Sequence, residues 1–211
     1  MSNLKLTEQR VCEFIDILAS DAPAPGGGSA AALMAAQGAS LVGMVAALTA
    51  GKPKYVEHDE LARRIMSEAE TLRLKLAGAI DRDTEAFNGV SAVFAMPKSS
   101  DDEKAARKAA MQAALKTATS VPLEVMELAL KSLELTVQAV GKTNTNAASD
   151  LGVAALSLLA GVKGAWLNVL INLGGVTDEG FVANHKSRGL EIVDKAERLS
   201  AQIYNEIIST L

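Results

Sequence analysis

Residues 29–50 hold no charged side chain, and residues 151–173 hold one, Lys163. Segments this long and this apolar have two physical homes. One is a bilayer, which a helix of about 20 residues can cross. The other is the centre of a helical bundle, where a helix can be apolar on every side. Both stretches are built largely from Ala, Gly and Ser, which gain little on transfer to lipid compared with Leu or Ile. The second would also carry Lys163, Asn168 and Asn172 into the hydrocarbon. The bundle centre is therefore the expected home, with no membrane as partner.

Composition supports helices throughout. Hydrophobic residues make up 49% of the 211 positions, but aromatic ones only 3%. Strands draw on β-branched and aromatic side chains, whereas Ala, Leu, Met, Glu and Lys lose little rotamer freedom in a helix. A chain of this length suits one domain with a substantial core.

Periodicity places the helices. The first spans about Leu4 to Ala19, with Val11, Phe14, Ile15 and Leu18 on one stripe. Asp21-Ala22-Pro23-Ala24-Pro25-Gly26-Gly27-Gly28 breaks it, and Ser29 is a good N-cap for a second helix running to about Ala50. Gly51-Lys52-Pro53 ends that one. A third runs from near Val56 to Ala95, and a fourth from Asp101 or Asp102 to about Ala118. Pro122 then suits either the first turn of a fifth or a kink in a continuous helix. After an Asn-rich connection come an uncharged helix, about Asp150 to Leu173, and a last one, about Asp178 to Leu211. The predicted fold is all-α: a bundle of about six to seven helices around a central uncharged pair.

The same inventory excludes several functions. A net charge of -4, spread without blocks, gives no basic face for nucleic acid. Cys12 is alone, and His58 and His185 have no metal-binding spacing, so no metal site is expected. No signal peptide is visible at the N-terminus, which points to a cytoplasmic protein.

Chemistry concentrates in three places. On the third helix the apolar stripe reads Leu61, Ile65, Ala69, Leu72, Leu76, Ile80, Phe87, Val90 and Phe94, and the gap in it is filled by Asp83. A carboxylate on a buried face must be paired, protonated or wetted, and desolvation raises its pKa toward the range useful for proton transfer. Asp81 falls on a less apolar side with Leu74, Gly78 and Glu85. A purely structural Asp83, bonded to a neighbouring helix end or a lysine, fits the same pattern. The second place is Gly26-Gly27-Gly28-Ser29, which opens an uncharged helix and exposes its first N–H groups to a polar ligand. It also reads as a tight turn into a closely packed helix. The third is Asn144-Thr145-Asn146-Ala147-Ala148-Ser149-Asp150, where Ser149 or Asp150 can simply cap a helix. Asn168 and Asn172, four residues apart, share a face and are either satisfied core amides or readers of a planar heterocycle. Lys52, Lys54 and Lys142, at helix ends, suit either a polyanionic tail or the helix dipole.

Taken in order, these segments resemble one family. Pro23-Ala24-Pro25-Gly26-Gly27-Gly28-Ser29-Ala30-Ala31-Ala32 and Gly51-Lys52-Pro53-Lys54-Tyr55 are similar to the N-terminal motifs of the formiminotetrahydrofolate cyclodeaminase/methenyltetrahydrofolate cyclohydrolase family. Ile80-Asp81-Arg82-Asp83-Thr84-Glu85-Ala86-Phe87 with Met96-Pro97-Lys98 resembles its central acidic motif. Ser149-Asp150-Leu151-Gly152-Val153-Ala154-Ala155 and Asn168-Val169-Leu170-Ile171-Asn172-Leu173 resemble its C-terminal half. Pro53 departs from the basic or polar residue expected there.

The resemblance covers roughly residues 5 to 205. It implies one cyclodeaminase/cyclohydrolase-like helical domain over 1–211, a homodimer without metal or redox cofactor, acting on the one-carbon unit of a tetrahydrofolate. It also implies that an acidic residue of the central motif handles protons. The stripe selects Asp83 ahead of Asp81 for that role, with Asp150 as a further catalytic candidate. Gly26, Gly27, Gly28, Ser29, Asn144, Asn146, Asn168 and Asn172 are then the residues expected around the pterin. Lys52 and Lys54 are expected at the glutamate tail, polyglutamylated or not. The expected reaction is hydrolysis of 5,10-methenyltetrahydrofolate to 10-formyltetrahydrofolate. The alternatives are cyclodeamination of the formimino compound and folate binding by a non-catalytic helical dimer.

Overall fold

The computed structural model describes residues 5–211. Its helices are α1 (Val11–Leu18), α2 (Gly27–Ala47), α3 (Asp59–Phe94), α4 (Asp101–Ala139), α5 (Ala148–Leu173) and α6 (Glu179–Ile208). Short 3-10 turns cover Leu6–Glu8, Pro53–His58 and Thr145–Ala147, and no strand occurs among the described residues.

The two uncharged helices form the middle. α2 packs on α3 and α5, α4 packs on α3 and α5, and α6 lies across α4 and α5. Successive partners run antiparallel: Gly38 of α2 meets Leu158, while Gly161 meets Ala31 and Ala35 near the start of α2. Small side chains make this approach possible. A Cβ on Gly38 would sit 2.6 Å from Leu158 Cγ, and one on Gly161 2.8 Å from Ala35 Cβ. Ala31, Ala32, Ala35, Ala39, Val42 and Val45 on α2 are fully buried, as are Ala154, Ala155, Leu158, Val162, Ala165 and Val169 on α5. Gly27–Ala47 and Thr145–Leu173 are each long and apolar enough to cross a membrane by composition; here they are the core pair.

Several expectations change on contact with the structure. The segment around Leu4–Ala19 is not one helix: a 3-10 turn at Leu6–Glu8 precedes α1, and Leu4 lies outside the described residues. On the α1 stripe, Phe14 is buried, whereas Val11, Ile15 and Leu18 remain exposed. The fourth and fifth predicted helices are one, α4, continuous through Pro122. Proline has no N–H, so the carbonyl of Ala118 one turn back loses its helical partner. The side chain of Asn172 on α5 donates to that carbonyl at 2.8 Å, which lets α4 pass through a buried proline. α4 starts as a strong helix should, with Ser100 and Glu103 forming a reciprocal capping box. Neither Ser149 nor Asp150 caps α5; Ala147 holds that position and Asp150 is in the first turn. On the α3 stripe Ile65, Ala69, Leu76 and Ile80 are buried, but Phe87 and Phe94 are exposed.

A cavity of about 500 Å³ lies between α1 and the α2–α3 pair, lined among others by Phe14, Leu33 and Met34. No carboxylate lines it.

Candidate functional site

The start of α2 and the second half of α3 meet at Ser29 and Asp83. Ser29 is not the cap of α2. Gly26 takes that place without a side-chain cap, and Ser29 lies inside the first turn, fully buried. Its hydroxyl sits 2.8 Å from Asp83 Oδ2, 3.1 Å from the Ile80 carbonyl and 3.2 Å from Thr84 Oγ1. A serine hydroxyl carries one proton. Donated to Asp83, it stabilises the carboxylate; donated to Ile80, it leaves Ser29 Oγ free to accept a proton from a neutral Asp83. The pair is thus built to hold the acid in either protonation state.

Gly28 is what lets Asp83 lie there. A Cβ at position 28 would stand 2.6 Å from Asp83 Cγ and closer still to Oδ1. Positive φ occurs at Gly51 and Gly141, not in this loop, whose glycines serve close approach.

Burial pushes the Asp83 carboxyl above its usual range, and hydrogen bonds from the Ser29 side chain and backbone pull it only part of the way back. No Lys or Arg among the described residues forms an ion pair with it; the neighbouring Arg82 turns to Glu124 on α4 at 3.0 Å. Asp83 is therefore a carboxyl held up by desolvation and bonded through Ser29 to the start of the neighbouring helix, as both the structural and the catalytic readings allow, with no salt bridge among the described residues.

Asp83 opens onto a cavity of about 320 Å³, lined by Gly26, Gly27, Gly28, Asn168 and Asn172, with Phe87 and Ile171 among its apolar walls. The amide nitrogen of Asn168 donates to the Gly164 carbonyl at 2.9 Å. That of Asn172 serves two carbonyls, Ala118 and Asn168. Both amide donors are thus partly committed to helix carbonyls, and what these side chains offer a ligand is chiefly their oxygens. Thr84, Phe87 and Ile171 were not singled out as site residues by the sequence. Helical spacing carried the signal, since Thr84 and Phe87 follow Asp83 by one and four positions, and Ile171 follows Asn168 by three.

The other candidates lie elsewhere. Asp81 accepts hydrogen bonds from the Leu6 N–H at 2.8 Å and the Thr7 hydroxyl at 2.7 Å, so it anchors the N-terminal turn away from the cavity. Lys52, Lys54, Asn144, Asn146 and Asp150 gather at the far end of α2, one helix length or about 30 Å away. There the Asn144 amide donates to the Leu48 carbonyl at 3.3 Å, and its backbone N–H to Thr49 Oγ1 at 2.9 Å. Asn146 is exposed and takes part through its backbone N–H, which donates to Asn144 Oδ1 at 3.1 Å. Lys54 Nζ reaches Thr145 Oγ1 at 3.4 Å and stands over the Tyr55 ring. Lys52 is exposed and Asp150 half-buried. Within one chain, the sequence-selected residues form two groups rather than one site, and Asp81 belongs to neither. Among the described residues no three His, Cys, Asp or Glu side chains converge as metal ligands.

Known proteins share this arrangement of chain. The family model described as formiminotransferase-cyclodeaminase matches residues 10–190. The methenyltetrahydrofolate cyclohydrolase of Methylorubrum extorquens is 45% identical over 93% of this chain and 94% of its own length. The formimidoyltransferase-cyclodeaminase of Sus scrofa is 35% identical over 92% of this chain, which spans only 36% of that longer protein. The crystal structure of the formiminotetrahydrofolate cyclodeaminase of Thermotoga maritima superposes with a TM-score of 0.81, at 31% identity and 98% coverage of both chains. The family match runs unbroken through the glycine loop, the Asp83 segment and α5, over a shared helical fold, and the chain belongs to the formiminotransferase-cyclodeaminase family.

Proposed function

We propose that the protein hydrolyses 5,10-methenyltetrahydrofolate to 10-formyltetrahydrofolate, with Asp83 moving the protons. The observation that carries this reading is a single desolvated carboxyl, partnered by Ser29, on the wall of a cavity floored by a helix start and two amides. The Methylorubrum protein, similar along almost the whole chain, bears the cyclohydrolase name.

In the reaction, a water oxygen bonds to the amidinium carbon while Asp83 takes one of its protons. The carbon–N5 bond then breaks, N5 takes a proton back from Asp83, and the adduct hydroxyl releases its proton to solvent as the formyl carbonyl forms. A carboxyl raised toward neutrality suits both directions of transfer. Its negative form also favours the cationic amidine before attack. The glycine loop and the oxygens of Asn168 and Asn172 hold the pterin. One helical domain over residues 1–211 performs the reaction, working in the cytoplasm as a homodimer with no resident cofactor. Lys52 and Lys54 meet the glutamate tail, including polyglutamylated forms, though from the far end of the molecule.

A second reading, cyclodeamination with N10 attacking the formimino carbon and ammonia leaving, is favoured by the Thermotoga protein, a cyclodeaminase that this chain matches end to end. Absorbance in the methenyltetrahydrofolate band separates the two. Loss of the band above the spontaneous rate supports the hydrolase, and growth of the band from the formimino substrate with ammonia release supports the deaminase. Folate binding without either change would leave a non-catalytic binder and overturn both.

A further inference from the structure

The face of α3 that carries Asp83 continues beyond its cavity. Phe87 walls that cavity, and Phe94, two turns further on, walls a second hollow of about 300 Å³. On α4 the spacing repeats in reverse: Ala118 lines the first cavity, and Met111, two turns earlier, lines the second. Arg107 Nε donates across the helix pair to the Val93 carbonyl at 3.1 Å, which ties the end of α3 to the start of α4. Two turns are about 11 Å, so one α3–α4 face holds both hollows end to end. Phe94, 65% exposed, leaves its ring open to whatever lies in the second.

The two hollows differ in charge. Asp83 is the only titratable side chain lining the first, whereas Lys98, Lys104, Arg107 and Lys108 line the second, with no carboxylate among them. Asp101 is taken up by Lys104 at 2.8 Å, and Glu103 by the N–H groups of Ser99 and Ser100. Lys98 and Lys108 have no ion-pair partner among the described residues. Arg107, fixed by the Val93 carbonyl and 6.0 Å from the Phe94 ring centre, presents the rest of its guanidinium as a fork suited to a carboxylate. The spacing matches a particular ligand. By standard bond lengths, the first glutamate carboxylate of a folate stands about 10 Å from its one-carbon unit, and each further γ-linked glutamate adds about 6 Å. Asp83 and Phe94 are roughly 16 Å apart along α3. Phe87 and Val90 lie between them as an apolar bed for the benzoyl ring, and a second carboxylate then falls among the cations. Lys52 and Lys54 lie about 30 Å from Asp83 in the opposite direction, so the near carboxylates fall to this groove.

We infer that the groove between the end of α3 and the start of α4 binds the second and later glutamates of an oligo-γ-glutamyl folate, through Lys98, Arg107 and Lys108. This rests on the folate reading for its substrate. Initial rates with the mono- and triglutamyl forms of 5,10-methenyltetrahydrofolate test it. The wild-type KM is expected to be about tenfold lower for the triglutamate at low salt, as two or three exposed ion pairs allow. Similar kcat is expected for the two forms, because contacts this far from the reacting carbon hold ground and transition states alike. The advantage shrinks as ionic strength rises. In a Lys98→Gln, Lys108→Gln protein the two KM values converge, while Lys98→Arg, Lys108→Arg keeps them apart. Equal KM values in the wild type overturn the inference. So does a preference that survives Lys98→Gln, Lys108→Gln but disappears in Lys52→Gln, Lys54→Gln.

If the wild-type chain turns over neither form, the folate reading fails and the groove is decided separately. The probe is then p-aminobenzoyl-triglutamate, which has no pterin. At low salt it is expected to shift the backbone amide NMR signals of residues 94–112 in the wild type and to leave them in place in the Lys98→Gln, Lys108→Gln protein. Shifts absent from that segment, or equal in the variant, overturn the groove.

Discussion

Asp83 and Gly28 are read most directly as a pair, because the space of one is the missing side chain of the other. Gly28→Ala is expected to displace the carboxylate and lower turnover about 10²-fold or more with the helical circular dichroism unchanged. A Gly28→Ala enzyme with wild-type kcat would disprove the contact. Asp83 also leaves a mark on stability. Its folded-state pKa is raised by burial, so the neutral acid is the form the fold prefers. Its favourable contribution is present below the ordinary carboxylate range and is lost as pH rises through the raised value. Asp83→Asn removes the buried charge while keeping an acceptor for Ser29. It is expected to raise Tm by a few degrees at pH 8 and to lose that advantage at acid pH. A Tm difference independent of pH would contradict this. The sequence showed Asp83 because it interrupts an apolar stripe. It did not show Ser29 as its partner, since a serine after glycines looks like a cap until the neighbouring helix is in place.

Among the elements, α4 carries the clearest long-range dependence. Pro122 opens a carbonyl that Asn172 closes from another helix, and no local signal in either segment announces the other. That is why the sequence left open whether one helix or two occupied this region. Asn172→Leu is expected to cost about 1–3 kcal/mol in urea unfolding, because the Ala118 carbonyl is buried and left unpaired. Placing that substitution in a Pro122→Ala background returns a backbone N–H to the carbonyl and should remove much of the cost. An undiminished cost there would mean that Asn172 acts otherwise. α2 and α5 were legible as elements from their lack of charge and their glycine ends. Their intimacy was legible less: Gly161→Ala is expected to destabilise by about 1–3 kcal/mol through the crowding of Ala35, measurable in the same unfolding series.

At the scale of the whole molecule, the order of the motifs in the chain was informative and their distances were not. Antiparallel packing puts the Asn144–Asp150 segment at the opposite end from the Asp83 cavity, although both looked like parts of one site when read in sequence. Periodicity likewise marked Phe87 and Phe94 as one side of α3 but carries no information on what covers that side. The core pair, the all-α class and the desolvated acid followed from composition and spacing alone. Antiparallel topology and the surfaces left open by it needed three dimensions. The central claim is that Asp83 performs the proton transfers of a folate hydrolase. Its most direct test is the rate of loss of the 5,10-methenyltetrahydrofolate band across pH for wild-type and Asp83→Asn proteins. The account predicts a wild-type rate that falls on acidification with a midpoint above the ordinary carboxylate range, and an Asp83→Asn rate lower by about 10²–10⁴-fold above that midpoint, the gap narrowing below it, with folate still bound. An Asp83→Asn protein that turns over like wild type, with the same pH profile, would contradict it.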